Sequence, residues 1–280
     1  MNALSTRKPT VGGTVVKIVL AVLVCVFALF PFYWMVVSAF DKYVGTTGAL
    51  WPRQFTVAHF VYVMTEGNFG TYLRNSLLVA VVVVAVSSFV ALLASVAVAR
   101  FRFRGRQTML LLILIIQMIP MEALTIPLFV QAKDLGLLNK LTGLMVVYTV
   151  IALPFGVWML RGFVAAVPVD LEEAAYLDGA NWWRMFFHVL FPLVVPGLVA
   201  TSIFSFITAW NEFIFAMTML GAETSKYTVP IGLRSFFGLH SNDWGSIMAG
   251  STIITIPVVI FFVLVQKRLA GGLTSGAVKG

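Results

Sequence analysis

Uncharged, apolar stretches recur along this chain at lengths that no soluble helix needs. Five runs without a charged residue span 18–40, 75–99, 141–160, 189–211 and 244–266. Each reaches the roughly 20 helical residues that cross a bilayer. A sixth run starts at Gln107, is uncharged to Met121, and continues past Glu122 to Ala132. Lipid offers a backbone no hydrogen-bond partners, so these runs predict helices rather than open strands. The pattern therefore predicts an all-α integral membrane protein with six transmembrane helices.

The polar intervals divide the chain. Residues 1–17 form an N-terminal tail and 18–40 the first span. Residues 41–72 form an outer loop, 73–266 a core of five further spans, and 267–280 a C-terminal tail. A second sizeable outer loop covers 220–243. Neither long loop is large enough to fold as a domain of its own. The first run ends in Val37-Ser38-Ala39, which looks like a signal-peptide cleavage site. Its 23 apolar residues exceed the usual 7–15 of a signal core, so it is expected to stay as a span.

Composition agrees with lipid as the solvent. Apolar residues make up 60% of the chain and charged residues 11%, and the mean hydropathy is +0.97. A soluble domain would carry about a quarter charged residues. The Lys and Arg residues set the orientation. Six spans place both termini on one side, with Arg7, Lys8, Lys17, Arg100, Arg102, Arg104, Arg106, Arg161, Arg184, Lys267, Arg268 and Lys279. Only Lys42, Arg53, Arg74, Lys133, Lys140, Lys226 and Arg234 fall on the other. Both termini are expected to be cytoplasmic. The net charge of +8 thus reads as membrane topology, and no basic stripe with interleaved aromatics suggests nucleic acid.

Candidate chemistry is sparse. No Gly-x-x-x-x-Gly-Lys-Ser/Thr loop occurs to cradle a phosphate, and no Gly-x-Ser-x-Gly occurs to place a nucleophile. His59, His188 and His240 have no carboxylate at ligand spacing, and Cys25 is the only cysteine. The expectation is no enzyme, no metal and no cofactor on this chain.

Two places in the spans carry polar groups. In Gln117-Met-Ile-Pro-Met-Glu-Ala-Leu-Thr-Ile-Pro127, two prolines bracket Glu122. Counted as a straight helix, Glu122 lies roughly 23 Å from the cytoplasmic start. One reading makes Gln117 and Glu122 part of a gate or pathway wall open to water, where irregular backbone is tolerated. The other makes Glu122 an interfacial carboxylate, with Pro127 marking the helix end. Trp210-Asn211-Glu212-Phe213 is the second place. Its ring, amide and carboxylate suit a polyol, and they equally suit an interfacial anchor with an interhelix hydrogen bond.

The interval 161–190, between the fourth and fifth runs, concentrates acid. Four of the eleven Asp and Glu residues lie within 170–179. Asp170 and Glu173 have the spacing of a capping box, Gly179 suits a helix C′ position, and Asn181 suits the cap of a second helix. Two short helices are expected, with Phe191-Pro192 marking entry into the fifth span. Residue chemistry alone leaves two roles open. The Ala174-Ala175 face docks another protein, or the helices lie along the headgroups.

The segment Glu173-Ala-Ala-Tyr-Leu-Asp-Gly179, then nine residues, then Val189-Leu-Phe-Pro192, resembles the EAA loop of ABC-importer permeases. Val189 and Phe191 replace the usual Ile and Leu. Arg74-Asn-Ser76, Ala99-Arg-Phe-Arg-Phe103, Trp210-Asn-Glu-Phe213 and the tail from Gly272 to Gly280 resemble the carbohydrate branch, the type found in the maltose importer. The resemblance covers essentially the whole chain.

It implies the type I ABC-importer permease fold and a bacterial inner-membrane protein. It also implies a sugar substrate, expected to be a di- or oligosaccharide. The implied partners are a second, related permease in a heterodimer, two ATPase subunits that bind ATP and Mg, and an extracytoplasmic sugar-binding protein. On the family pattern Glu173, Ala174, Ala175, Asp178 and Gly179 form the coupling helix within 162–190. The loop 220–243 matches one that contacts the binding protein, and the tail after Gln266 one that contacts the ATPases. The alternatives are an ion-coupled secondary carrier, which would not need such a docking loop, and a non-transporting scaffold or receptor.

Overall fold

The structure, a computed structural model, describes residues 11–45, 50–221, 223–238 and 241–276, with side chains from Gly12 to Gln266 within those ranges. His240 and the side chains of the tail beyond Gln266 lie outside the described residues. Among the described residues every extended element is helical. Two isolated bridges, Asp41–Phe55 and Phe237–Asn242, are the strand-like pairings.

In chain order the helices are α1 (Val11–Ala39), α2 (Ala58–Thr65), α3 (Phe69–Arg100), α4 (Arg106–Gln117), α5 (Thr125–Asp134) and α6 (Leu141–Ala166). There follow α7 (Val169–Leu177), α8 (Trp182–Met185), α9 (Phe191–Asn211), α10 (Ile214–Met219), α11 (Val229–Arg234) and α12 (Trp244–Gly276). Five stretches are long and apolar enough to span: Gly12–Ala39, Phe69–Arg100, Leu141–Ala166, Trp182–Asn211 and Trp244–Gln266.

The sixth expected span is broken. Arg106–Gln117 and Met121–Asp134 meet at 98°. Pro120 explains the break, because it donates no hydrogen bond and keeps Ile119 out of helical conformation. A 3₁₀ turn, Met121–Leu124, follows before α5 begins. The straight-helix height for Glu122 therefore does not apply. Nor does Pro127 end a helix. It stands in the first turn of α5, where a missing N–H costs nothing.

The chain forms two compact units, residues 1–63 with 236–253, and residues 64–235 with 254–280. In the first, the outer loop is more ordered than its polar sequence suggests. Phe40 stacks on Phe55 at 5.2 Å and packs on Phe60, and His59 hydrogen-bonds the Asp41 carbonyl.

In the second unit, α3, α6 and α9 pack together as its centre. Ala91, Leu92, Val96, Val157, Leu160, Val164, Leu190 and Val194 form a core at one end. Membrane helices gain little from excluding water, so close approach and interhelix hydrogen bonds must hold them. Gly156 faces Ala91 with room for little more than its own hydrogen. Ser87 donates to Ser205, and Ser88 pairs with Ser202, each at 3.1 Å between α3 and α9. Each such bond is worth about 0.6 kcal/mol.

Candidate functional site

The connection from α6 to α9 is built by three local devices. Pro168 occupies the N-cap position of α7 with φ −58° and ψ 132°, and it makes no side-chain cap. The helix thus starts two residues earlier than a cap at Asp170 requires. Asp170 falls in the first turn, from which its carboxylate does not close a capping box with Glu173. That expectation is corrected: Pro168 sets the start, while Asp170 and Glu172 favour the positive end of the helix dipole.

The C-terminal expectation holds. Gly179 has φ +82°, its N–H donates to the Tyr176 carbonyl, and the Ala180 N–H reaches back to Ala175, each at 3.0 Å. This is a Schellman closure, and the positive φ is why glycine stands there. Asn181 then caps the next helix, its Oδ1 accepting from the Arg184 N–H at 2.8 Å.

That next helix is not separate from the fifth span. α8 passes through a π turn, Phe186–Leu190, directly into α9, giving one 30-residue helix from Trp182 to Asn211. Pro192 supplies the reason. It has no N–H to donate and would crowd the carbonyl four residues back, and a wider turn relieves both. The Phe191 N–H accordingly bonds the Phe186 carbonyl. Trp182 stacks on Phe186 and Trp183 on Phe187 along the same stretch.

The expected coupling residues do not all share one face, because Ala175 packs on the apolar core beneath α7. Glu173, Ala174, Asp178 and Gly179 are exposed, and Ala175 is half-buried. Leu177 joins them at 89% exposure, one turn after Glu173. The sequence reading left it outside the set. On the opposite face Glu172 is buried and pairs with Arg100 at the end of α3, Nε to Oε1, at 2.7 Å. The sequence reading used Arg100 for topology alone. Long-range pairing leaves no periodic signal, although Glu172 stood out as a third acid beside the expected cap.

The expected pathway residues fall into two groups. Gln117 and Glu122 are exposed around the bend between α4 and α5, and the Gln117 amide reaches only its own helix, at Ile113. Asn211 is exposed at the end of α9. Trp210 is 1% exposed, stacked on Phe206 at 5.4 Å, and its indole N–H has no partner among the described residues. Glu212 accepts from the Tyr148 hydroxyl at 2.5 Å and from the N–H groups of Phe215 and Ala216 at 2.9 and 3.1 Å. Trp210 thus presents no free ring face in this conformation.

Arg74-Asn-Ser76 gains a role the sequence reading did not give it. The Asn75 amide donates to the carbonyls of Ser225 and Tyr227, both at 3.0 Å, and Ser76 Oγ accepts from the Val229 N–H at 2.9 Å. Gly232 of α11 lies directly on the Tyr72 ring, where a Cβ has no room. The segment 223–235 is therefore pinned to the N-terminal end of α3. Among the described residues no group of three His, Cys, Asp or Glu side chains is placed to hold a metal.

This arrangement of broken and continuous spans is the permease fold of ABC importers. A bacterial ABC transporter that imports the acidic polysaccharide alginate matches with a TM-score of 0.77 at 24% identity, over 94% of this chain and 99% of that one. The MetNI methionine transporter matches with a TM-score of 0.56 at 19% identity, over 76% and 97%.

The chain belongs to the family of binding-protein-dependent transport system inner membrane components, which it matches over residues 91–275. It is 39% identical to the diacetylchitobiose uptake system permease of Streptomyces coelicolor, over 98% of this chain and all of that protein. It is 36% identical to the trehalose/maltose transport system permease of Thermococcus litoralis, over 95% and 97%. The protein is a multi-pass membrane permease subunit of an ABC importer. ATP binding in this family belongs to partner subunits, and the ion-coupled carrier is set aside.

Proposed function

We propose that this permease imports a di- or oligosaccharide, handed over by an extracytoplasmic sugar-binding protein, with both termini in the cytoplasm of a bacterial cell. It pairs with a second, related permease above two ATPase subunits that hold ATP and Mg. The relatives' names support the sugar class, since those proteins carry diacetylchitobiose and trehalose or maltose. The two tails, the first span, the outer loop and the five-span core keep the boundaries given above.

One observation carries the energetic half of this reading. Glu173, Ala174, Leu177 and Asp178 form an exposed acidic and apolar face on a short helix, closed at Gly179 and joined to spans at both ends. No nucleotide loop occurs in the chain, so the energy enters through a partner, and this face is the entry. Ala175 and Gly179 let the partner approach closely. Gln117, Glu122, Trp210, Asn211 and Glu212 are the pathway set, with Gln117, Glu122 and Asn211 its exposed members.

The test is uptake in cells carrying the complete transporter. Glu173→Lys and Gly179→Pro each abolish uptake while membrane level stays at wild type. Proline cannot adopt the +82° φ of Gly179. Normal uptake in both variants refutes the coupling role. Calorimetric titration of the cognate binding protein with diacetylchitobiose, trehalose and maltose decides the sugar class, and failure to bind any saccharide refutes it.

A further inference from the structure

Four arginines lie between the last residue of α3, Arg100, and the first of α4, Arg106, and one of them behaves differently. Arg102 and Arg104 are exposed, as residues that set membrane topology should be. The Arg100 side chain is only 13% exposed, and its partner Glu172 9%. A charge that only counts toward topology gains nothing from burial, and burial is tolerated only where the charge is paired and hydrogen-bonded.

Arg100 makes two bonds to two different segments. Nε donates to Glu172 Oε1 at 2.7 Å, and Nη2 donates to the Val167 carbonyl at 2.9 Å. Val167 is the C-cap residue of α6, so its carbonyl lies at the negative end of that helix. Glu172 lies in the first turn of α7, at the positive end. One planar guanidinium therefore ties together the end of α3, the end of α6 and the start of α7. A lysine has the charge but not the fork for both bonds.

Beside the pair, α7 does not fill the space toward α3. A cavity of about 170 Å³ is bounded there by Val96, Arg100, Glu172, Tyr176, Trp182 and Phe186. α7 packs mainly on α8 and the π turn, with Ala175 on the apolar core. Across the void the Arg100–Glu172 ion pair links α7 to α3.

We propose that the Arg100–Glu172 ion pair is the strut that carries displacement of α7 into α3 and α6, making both positioning residues for ATP-driven transport. The inference rests on the coupling reading of α7. A push on the exposed face cannot tilt α7 alone without stretching a buried charge pair. α3 and α6 also form the centre of the packed bundle, so the load arrives where it moves the spans. The same pair keeps α7 at a fixed distance from α3 through the cycle.

The test uses the assembled transporter in lipid nanodiscs, spin-labelled at Leu93 of α3 and Leu171 of α7 in a Cys25→Ser background, with ATP and vanadate as the probe. All three replaced side chains are exposed. In the parent the Leu93–Leu171 distance stays fixed on vanadate trapping. In Arg100→Gln and in Glu172→Gln it shifts or broadens on trapping, and the double variant Arg100→Glu with Glu172→Arg brings it back. A parent distance that changes on trapping overturns the strut, as does a distance that stays fixed in both single variants. Loss of assembly in all three variants also overturns it, because the pair would then be a folding element. Failure of the coupling reading shows separately, as normal uptake in Glu173→Lys.

Discussion

One span of this permease is interrupted and another ends at a sharp corner, and the two helix ends are made by opposite means. Between α4 and α5 the helix stops because Pro120 withholds a donor, and nothing takes its place. No side chain caps either side, residues 117–120 are exposed, and the Glu122 side chain makes no hydrogen bond among the described residues. Between α9 and α10 the helix stops because Glu212 takes over. Its two oxygens accept from the Phe215 and Ala216 N–H groups and from Tyr148, beneath a buried Trp210. A break made by absence leaves its backbone free to reorient, and a break made by a carboxylate is locked. The two polar sites read from the sequence as equals thus divide into a joint and a fixed corner.

The comparison breaks most readily at the fixed corner. Glu212→Ala removes three hydrogen bonds to a charged group and orphans a buried hydroxyl, which costs about 2–5 kcal/mol. Thermal unfolding of the purified protein in detergent should show a large drop, and an unmoved midpoint would mean the corner is not locked. Tyr148→Phe removes only the hydroxyl and should cost about 1 kcal/mol in the same assay. Trp210→Phe should be similar, at about 1–2 kcal/mol, because the indole N–H has no partner to lose and only volume is removed. The smallest stability effect belongs to Glu122→Ala, which should leave the midpoint in place. There the readout is the resting ATPase rate of the assembled transporter, which shifts if the bend lines the pathway. A drop in midpoint with an unchanged rate would reverse the assignment of joint and corner.

The apolar runs made most of this fold legible, because a bilayer demands long uncharged helices whatever surrounds them. Pro120 breaks the sixth run by a local effect, but counting Glu122 along a straight helix left that effect out. Gly179 and Asn181 were legible for the same reason, each closing bonds within a few residues of itself. Asp170 misled because two local rules compete there, and the fixed φ of Pro168 prevails over the carboxylate cap. Arg100, Glu172 and the Asn75 anchor were not legible. Each is defined by what lies across from it, 72 residues away for Arg100 and Glu172 and 150 for Asn75 and Ser225. Spacing along a chain carries no record of such partners.

The π turn at Phe186–Leu190 has a consequence for how this protein can change over time. One extra residue in a turn rotates everything beyond it by about 100° relative to an unbroken α-helix. The turn therefore works as a phase shifter between the α6–α9 connection and the span that follows it. The connection keeps the azimuth set by its own caps, and α9 keeps the azimuth that sets Ser202 and Ser205 against α3. Substitutions can turn the connection without re-registering the bundle, as long as that one wide turn absorbs the difference.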